Sequence, residues 1–207
     1  MAEIDTSNHA KYKDAQSNPV VRALMGRLFR AVAHDIAWFA PQSLLDAGCG
    51  EGHAIEQLGS LIPLRYVGID ANPACVAWCK ERFPGREFSQ QSVLALPYAD
   101  QSFDVVLCME VLEHLDDPAA AVRELSRVAK VGVVLSVPFE PWFQAGNALR
   151  GKYRPTLGNH PEHVQHWGKR SFPRFLADTG ALADISVVSA GTWLVASARP
   201  APLRTER

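Results

Sequence analysis

The chain has 207 residues, 47% hydrophobic and 21% charged, with a formal net charge of −1. This composition fits a single globular domain with a substantial core, and the near-neutral balance excludes long-range attraction to nucleic acid. No apolar run reaches membrane-spanning length, the polar start from Met1 to Asn18 lacks a signal-peptide core, and the four cysteines (Cys49, Cys75, Cys79, Cys108) form neither a disulfide framework nor a zinc pattern, so a cytoplasmic location is expected.

From Pro19 to about Phe39, Val21, Leu24, Leu28, Val32 and Ile36 share one helical face; Asn18 can cap this helix and Pro19 suits its first turn. Arg22, Arg27 and Arg30 decorate it, a charge modest enough to favour packing on the core over lying on a membrane. Pro41 ends it. Leu44-Leu45-Asp46 reads as a buried parallel strand, and a helix opens near His53 with Ile55, Leu58 and Leu61 as its buried stripe. Tyr66–Asp70 is a second strand, and Asn72-Pro73 opens a helix reaching about Phe83. Residues 87–92 form a weaker third strand and Phe103–Met109 a strong fourth. Asp117 caps a helix with Val122, Leu125 and Val128 inward, and Val131–Val137 is a fifth strand. Ser171 is expected to cap a helix ending near Gly180. Ile185–Val188 and Trp193–Ala196 close the chain as strands joined tightly at Ala190-Gly191, hence antiparallel. Strands alternating with helices imply a mostly parallel sheet covered on both faces.

The chemistry concentrates at Asp46-Ala47-Gly48-Cys49-Gly50-Glu51-Gly52. Alternating glycines permit a tight turn and let a ligand lie against the main chain, and the helix that follows presents free N–H groups. The spacing is G-x-G-x-G led by Asp, not the G-x-G-x-x-G of dinucleotide-binding folds. Asp46 would repel a pyrophosphate but suits a ligand carrying positive charge. Asp70, about twenty residues on, can accept hydrogen bonds from two ribose hydroxyls, which by itself also fits NAD. Ser92-Val93 can offer a hydroxyl and an N–H to an adenine edge. Short-chain dehydrogenases need Tyr-x-x-x-Lys, whereas Tyr12, Tyr66, Tyr98 and Tyr153 are followed four places on by Gln16, Asp70, Ser102 and Leu157.

Leu44–Gly52, Leu94–Tyr98, Ser102–Val106 and Glu110–Leu115 resemble, in order, the motifs of class I S-adenosylmethionine-dependent methyltransferases, in particular the type 11 small-molecule group, over about residues 43–137. The resemblance implies a Rossmann-like, seven-stranded, mostly parallel sheet with an antiparallel last strand. It also implies an N-terminal helical cap (residues 1–40) and a domain over 41–207 with a lid insertion at 138–170. The implied cofactor is S-adenosylmethionine and the implied reaction is methyl transfer to a small-molecule acceptor, on oxygen, nitrogen, carbon or sulfur. The alternatives are a non-catalytic binding protein of the same fold, then a nucleic-acid methyltransferase. Asp46 is expected near the methionine part, the Gly48-Cys49-Gly50 backbone against the ligand, Asp70 with Ala71 at the ribose, and Ser92 with Val93 at the adenine. Met109 completes the set from the fourth strand. Tyr12 and Arg22 are expected on the cap above the strand ends, with Arg22 pairing the methionine carboxylate. Ser92 stands where many relatives carry Asp, and Lys130-Val131-Gly132 replaces the usual Pro-Gly-Gly, read as a local change of turn. Met109-Glu110-Val111-Leu112 differs from the Pro-Pro-aromatic motif of amino-methyltransferases, and the absence of Pro-Cys excludes the cytosine-5 enzymes.

Pro138–Arg170 is too long for an ordinary connection and is rich in Trp, His, Arg and Gly. Trp142, Phe143, Tyr153 and Trp167 are expected to wall a substrate pocket, with core packing as the equal alternative. Pro161 keeps His160 extended and starts a helix on which His163 and His166 share a face with Trp167 close by. Two histidines without cysteine or a placed acid make an incomplete zinc set, so no metal is expected. The insertion is predicted to close over the acceptor, with His163 or His166 as general base and His114 in reserve. Cys75 and Cys79, four apart on a helix, are spaced to ligate metal or arsenic, but burial of at least one thiol against the sheet is the expected reading.

Overall fold

The computed structural model describes residues 18–140 and 164–202. Tyr12, Trp142, Phe143, Tyr153, His160 and His163 lie outside them, as does most of the 138–170 insertion. The described chain runs α1 (Pro19–Phe39), β1 (Ser43–Ala47), α2 (His53–Leu58), a 3₁₀ turn (Gly59–Leu61), β2 (Arg65–Asp70), α3 (Pro73–Arg82) and β3 (Glu87–Gln90). It continues with β4 (Phe103–Met109), a second 3₁₀ turn (Leu112–His114), α4 (Pro118–Val128), β5 (Ala129–Pro138), α5 (Ser171–Asp178), β6 (Leu182–Ser189) and β7 (Trp193–Pro200).

The seven strands form one sheet in the order β3-β2-β1-β4-β5-β7-β6. β1 to β5 pair in parallel, and β7 is antiparallel to both β5 and β6, as the short Ala190-Gly191 link requires. Alternation along the strands divides the core. Leu44, Tyr66, Val105 and Leu107 face a cluster made with Leu28, Val32 and Ile36 of α1, Ala54 and Leu58 of α2, and Val76 and Cys79 of α3. Leu45, Val67, Val106 and Cys108 face the other, built with Val122, Leu125 and Val128 of α4 and Phe172 and Leu176 of α5. Each fully buried aliphatic side chain here contributes about 1.5–3 kcal/mol of transfer free energy.

Local capping chemistry starts the helices where polar caps precede prolines. The side chains of Asn18, Asn72 and Asp117 accept from the N–H groups of Val20, Ala74 and Ala120, each at 2.9 Å, and each is followed by proline. Ala40 ends α1 in the left-handed region (φ 46°) before Pro41.

Four sequence expectations need correction. Gly59 (φ 52°, ψ −116°) stops α2 early, so the 3₁₀ turn rephases the chain; Leu61 is exposed and Ile62 takes the buried place. Ser171 is the first residue of α5 and not its cap, and its Oγ accepts from Gly168 N at 2.8 Å. Lys130-Val131-Gly132 is strand, not turn, because α4 passes into β5 at Ala129. Gly132 is there for a close approach: a Cβ would lie 2.5 Å from the Phe39 ring, which rests on the sheet at this point. Finally, residues 164–167 are not helical. Val164 and Gln165 donate their N–H groups to the Glu113 carbonyl (2.9 and 3.1 Å), and Glu140 N donates to Trp167 O (2.9 Å). Those bonds replace the i→i−4 ladder, so neither His166 nor Trp167 is on a helix, while His163, the other member of the expected face, lies outside the described residues.

Candidate functional site

Strand order reverses between β1 and β4, and such switch points open a crevice outside the carboxyl ends of the strands. A cavity of about 540 Å³ lies there, within the range of small-molecule sites. Its floor is the glycine loop. Gly48 N and Cys49 N both donate to Ile69 O at 2.8 Å, which ties the loop to β2. Gly48 has φ 87°, and a Cβ on it would come within 2.2 Å of Val111 Cγ2, so the loop and the chain after β4 touch through the missing side chain. At Gly50 a Cβ would meet nothing within 4 Å, leaving open space beside the main chain.

Asp70 clamps this loop. Its Oδ2 accepts from Gly50 N at 2.9 Å and its Oδ1 from Asn72 N at 2.8 Å. The carboxylate thus holds both the glycine turn and the start of α3, with further lone pairs toward the cavity. Asp46, only 2% exposed, accepts from Tyr66 Oη at 2.6 Å. Burial pushes its carboxyl up to about 7, the Tyr66 bond works against the rise, and the nearby Asp70 charge adds to it.

Sequence reasoning missed Glu110. It follows β4 with φ 55°, a conformation that costs a non-glycine residue about 1–2 kcal/mol. Two donors from distant strands hold its carboxylate: Ser136 Oγ of β5 at 2.8 Å and Trp193 Nε1 of β7 at 2.7 Å. Burial raises this group to about 7, and the two donors pull it back. Neither partner was legible, because one lies 26 and the other 83 residues away; the available signal was the acid directly after the strongest strand. Beside it Glu113, 1% exposed, has an Oε2 with no hydrogen-bond partner among the described residues, and burial followed by the Glu110 charge pushes its carboxyl well above the usual carboxylate range.

The cavity brings together Asp46, Gly48, Cys49, Gly50, Asp70 and Ala71, together with Ser92, Val93, Met109 and His114. From α1 it is lined by Met25, Leu28 and Phe29. Arg22 is exposed and does not line it; it shares the face of Met25 and Phe29 but lies about a turn nearer the N terminus. His166 is exposed and also absent from the lining. Trp167 is buried, its ring centroid 5.5 Å from Phe172 and 5.2 Å from Phe175, so it packs in the core and not on an acceptor. The chain nevertheless returns from the insertion beside the cavity, since Val164 and Gln165 bind Glu113 and Gln165 Nε2 donates to Leu115 O at 3.1 Å.

Electrostatically the lining is one-sided. Among the described residues it carries three carboxylates (Asp46, Asp70, Glu110) and two histidines (His53, His114), with neither lysine nor arginine. Such a set, around a glycine floor with open space, fits a ligand that has hydroxyls and a positive charge, as S-adenosylmethionine does. No group of three metal-binding side chains occurs among the described residues, and no described helix is long and apolar enough to cross a membrane.

A family profile described as a methyltransferase domain matches residues 45–137. A Mycobacterium tuberculosis protein bearing the name "probable S-adenosylmethionine-dependent methyltransferase" is 35% identical over 141 residues, covering 67% of this chain and 48% of that protein. An O-methyltransferase of Aspergillus sclerotiorum is 26% identical over 132 residues, 61% of this chain and 50% of its own length. The chain thus spans about half the length of these curated relatives. Among solved structures, the magnesium protoporphyrin IX methyltransferase of Synechocystis with bound S-adenosylhomocysteine superposes with a TM-score of 0.66 at 19% identity, over 94% of this chain and 95% of that one. That similarity establishes the fold.

Proposed function

We propose, for a chain whose residues 45–137 belong to the methyltransferase-domain family, that it binds S-adenosylmethionine in this cavity and transfers the methyl group to a small-molecule acceptor. The observation that carries the reading is the lining itself: among the described residues, three carboxylates and no lysine or arginine, around a loop whose glycines leave the main chain bare. When bound, the cofactor supplies an electrophilic methyl group on a positively charged sulfur.

Strand order supports a set of contacts. With the adenine edge at Ser92-Val93 after β3 and the ribose hydroxyls on Asp70 at the end of β2, a spacing of about 4.8 Å per strand carries the sulfur across β1 toward β4. Asp46 then serves the methionine part, and Gly48-Cys49-Gly50 offers backbone. Residues 1–40 act as a cap, in which Met25 and Phe29 exclude water above the site. The acceptor enters on the β4–β5 side, near His114 and the ends of the 138–170 insertion. Because displacement at sulfur-bound carbon is in line, most of the rate comes from holding the acceptor close and aligned. A base matters only for a hydroxyl, a protonated amine or an acidic carbon, and of the two expected histidines within the described residues His114 lines the cavity and His166 does not. The size of the cavity and the names of the relatives favour a small-molecule acceptor, and four cysteines whose spacing makes no disulfide framework suit a cytoplasmic protein.

Calorimetry with S-adenosylhomocysteine tests the site, and transfer of radiolabelled methyl from the cofactor to panels of small molecules and to RNA tests the reaction. Binding without transfer to any acceptor would leave a non-catalytic binding protein of the same fold. Absence of binding would end the reading.

A further inference from the structure

Glu110 is a partly exposed residue whose carboxylate is buried with only neutral donors as partners. Ser136 and Trp193 each give it one hydrogen bond, and among the described residues no lysine or arginine lines the cavity into which it opens. Its backbone is held in the left-handed region by packing on both sides: Val111 sits on Gly48, and Glu110 N donates to Ser136 O at 3.1 Å. A charge kept out of water this way lacks the cation that would offset its desolvation. Its place is specific. Asp46 pairs with Leu107 across β1 and β4, so the residues that follow on each strand run side by side and bring Glu110 level with the glycine loop. That is the end of the cavity where the reading above puts the sulfur.

We infer that Glu110 is the residue that distinguishes the methylated cofactor from the demethylated one, favouring the sulfonium-bearing form by charge and weakening retention of the thioether product. The inference rests on the function proposed above. Methyl transfer removes one positive charge from the cofactor while its ammonium and carboxylate stay unchanged, so the affinity ratio of S-adenosylmethionine to S-adenosylhomocysteine isolates that charge. With the Glu110 carboxyl near 7 in the empty site, it is neutral below that pH and contributes no discrimination. Above it the carboxylate is negative and prefers the sulfonium. Binding of the cation near pH 7 therefore expels more proton to the buffer than binding of the thioether, the share released through Asp46 by the common ammonium cancelling in the difference. The groups that face Glu110 are Glu113 and Cys108, both pushed well up by burial, the neutral Ser136 and Trp193, and across the cavity Asp46, Asp70, His53 and His114.

Calorimetry of the intact protein with each ligand, from pH 5.5 to 8.5 and in buffers of different ionisation enthalpy, reads this directly. The affinity ratio should rise about tenfold across the range, the equivalent of one pKa unit of coupling, with greater net proton release for the cation than for the thioether. E110Q, which keeps the shape, can accept from Trp193 Nε1 through its amide oxygen and donate its amide to Ser136 Oγ; it should bind S-adenosylhomocysteine within about twofold of wild type and show a flat ratio, and near-ultraviolet dichroism verifies its fold. S136A, which removes one donor and raises the carboxyl further, should move the transition to higher pH and supplies a second reading if E110Q folds poorly. A flat wild-type ratio with both ligands bound overturns the inference and leaves the binding function standing. An E110Q protein that retains the wild-type slope overturns it too, assigning the effect to Asp46 or the histidines. Failure of either ligand to bind removes the function and the inference together.

Discussion

The contact between the glycine loop and the chain after β4 can be tested by one methyl group. In Gly48→Ala the new Cβ stands 2.2 Å from Val111 Cγ2 and 3.5 Å from Val111 Cβ, at a φ of 87°. Placing an L-residue in that region costs about 1–2 kcal/mol, and overpacking against a stiff β-branched side chain costs about 1–3 kcal/mol, so the sum is about 2–5 kcal/mol. Urea denaturation measures it, with Val111→Ala and the double variant completing a cycle. The double variant relieves the overlap but not the backbone cost, so it should regain about 1–3 kcal/mol over additivity. A single Gly48→Ala variant within about 0.5 kcal/mol of wild type, or strict additivity in the cycle, refutes the reasoning.

Asp70→Ala removes the acceptor of Gly50 N and Asn72 N together with the ribose partner, and should cost about 2–4 kcal/mol of affinity for S-adenosylhomocysteine by calorimetry; unchanged affinity would take Asp70 out of the site. Asp46 has a carboxyl raised from 3.8 to about 7 in the folded protein, so its stability contribution is present below about pH 4 and is lost as pH rises through 7. Asp46→Asn should therefore make the ligand-free protein more stable than wild type by roughly 2–4 kcal/mol at pH 8 and by nothing at pH 4, read from denaturation at the two pH values. Arg127 donates to both oxygens of Glu124 and to Asp100 at 2.8 Å each, to Tyr98 O at 2.7 Å and to Leu96 O at 3.0 Å. Arg127→Ala should destabilise by about 2–3 kcal/mol through release of the β3–β4 connection, and Arg127→Lys should recover less than half of it because the fork is lost; a thermal melt equal to wild type would contradict this.

What the sequence alone determined is everything carried by short range. Capped prolines at Asn18, Asn72 and Asp117 mark three helix starts because the capping bond spans two or three residues. Alternating and continuous apolar runs mark the strands, and the short link before Trp193 decides its antiparallel sense. The glycine loop, Asp70 and Ser92-Val93 were readable because they lie at consecutive strand ends, and parallel strands carry their ends to one edge. Only the tertiary structure decided how the other side of the cavity is made. Glu110 acquires its meaning from Ser136 and Trp193, which strand order, not proximity in the chain, brings to it. Met25 and Phe29, not Arg22, line the cavity because the position of α1 on the sheet chooses which turn of a face reaches the site. The path of residues 164–167 turns on the Glu113 carbonyl and the main chain of Glu140, so His166 is not on a helix, a result set by partners about 25 and 50 residues back along the chain. Periodicity reports which face of an element is apolar; the partner of a buried polar group is set by where the sheet places another strand, and no local pattern encodes that.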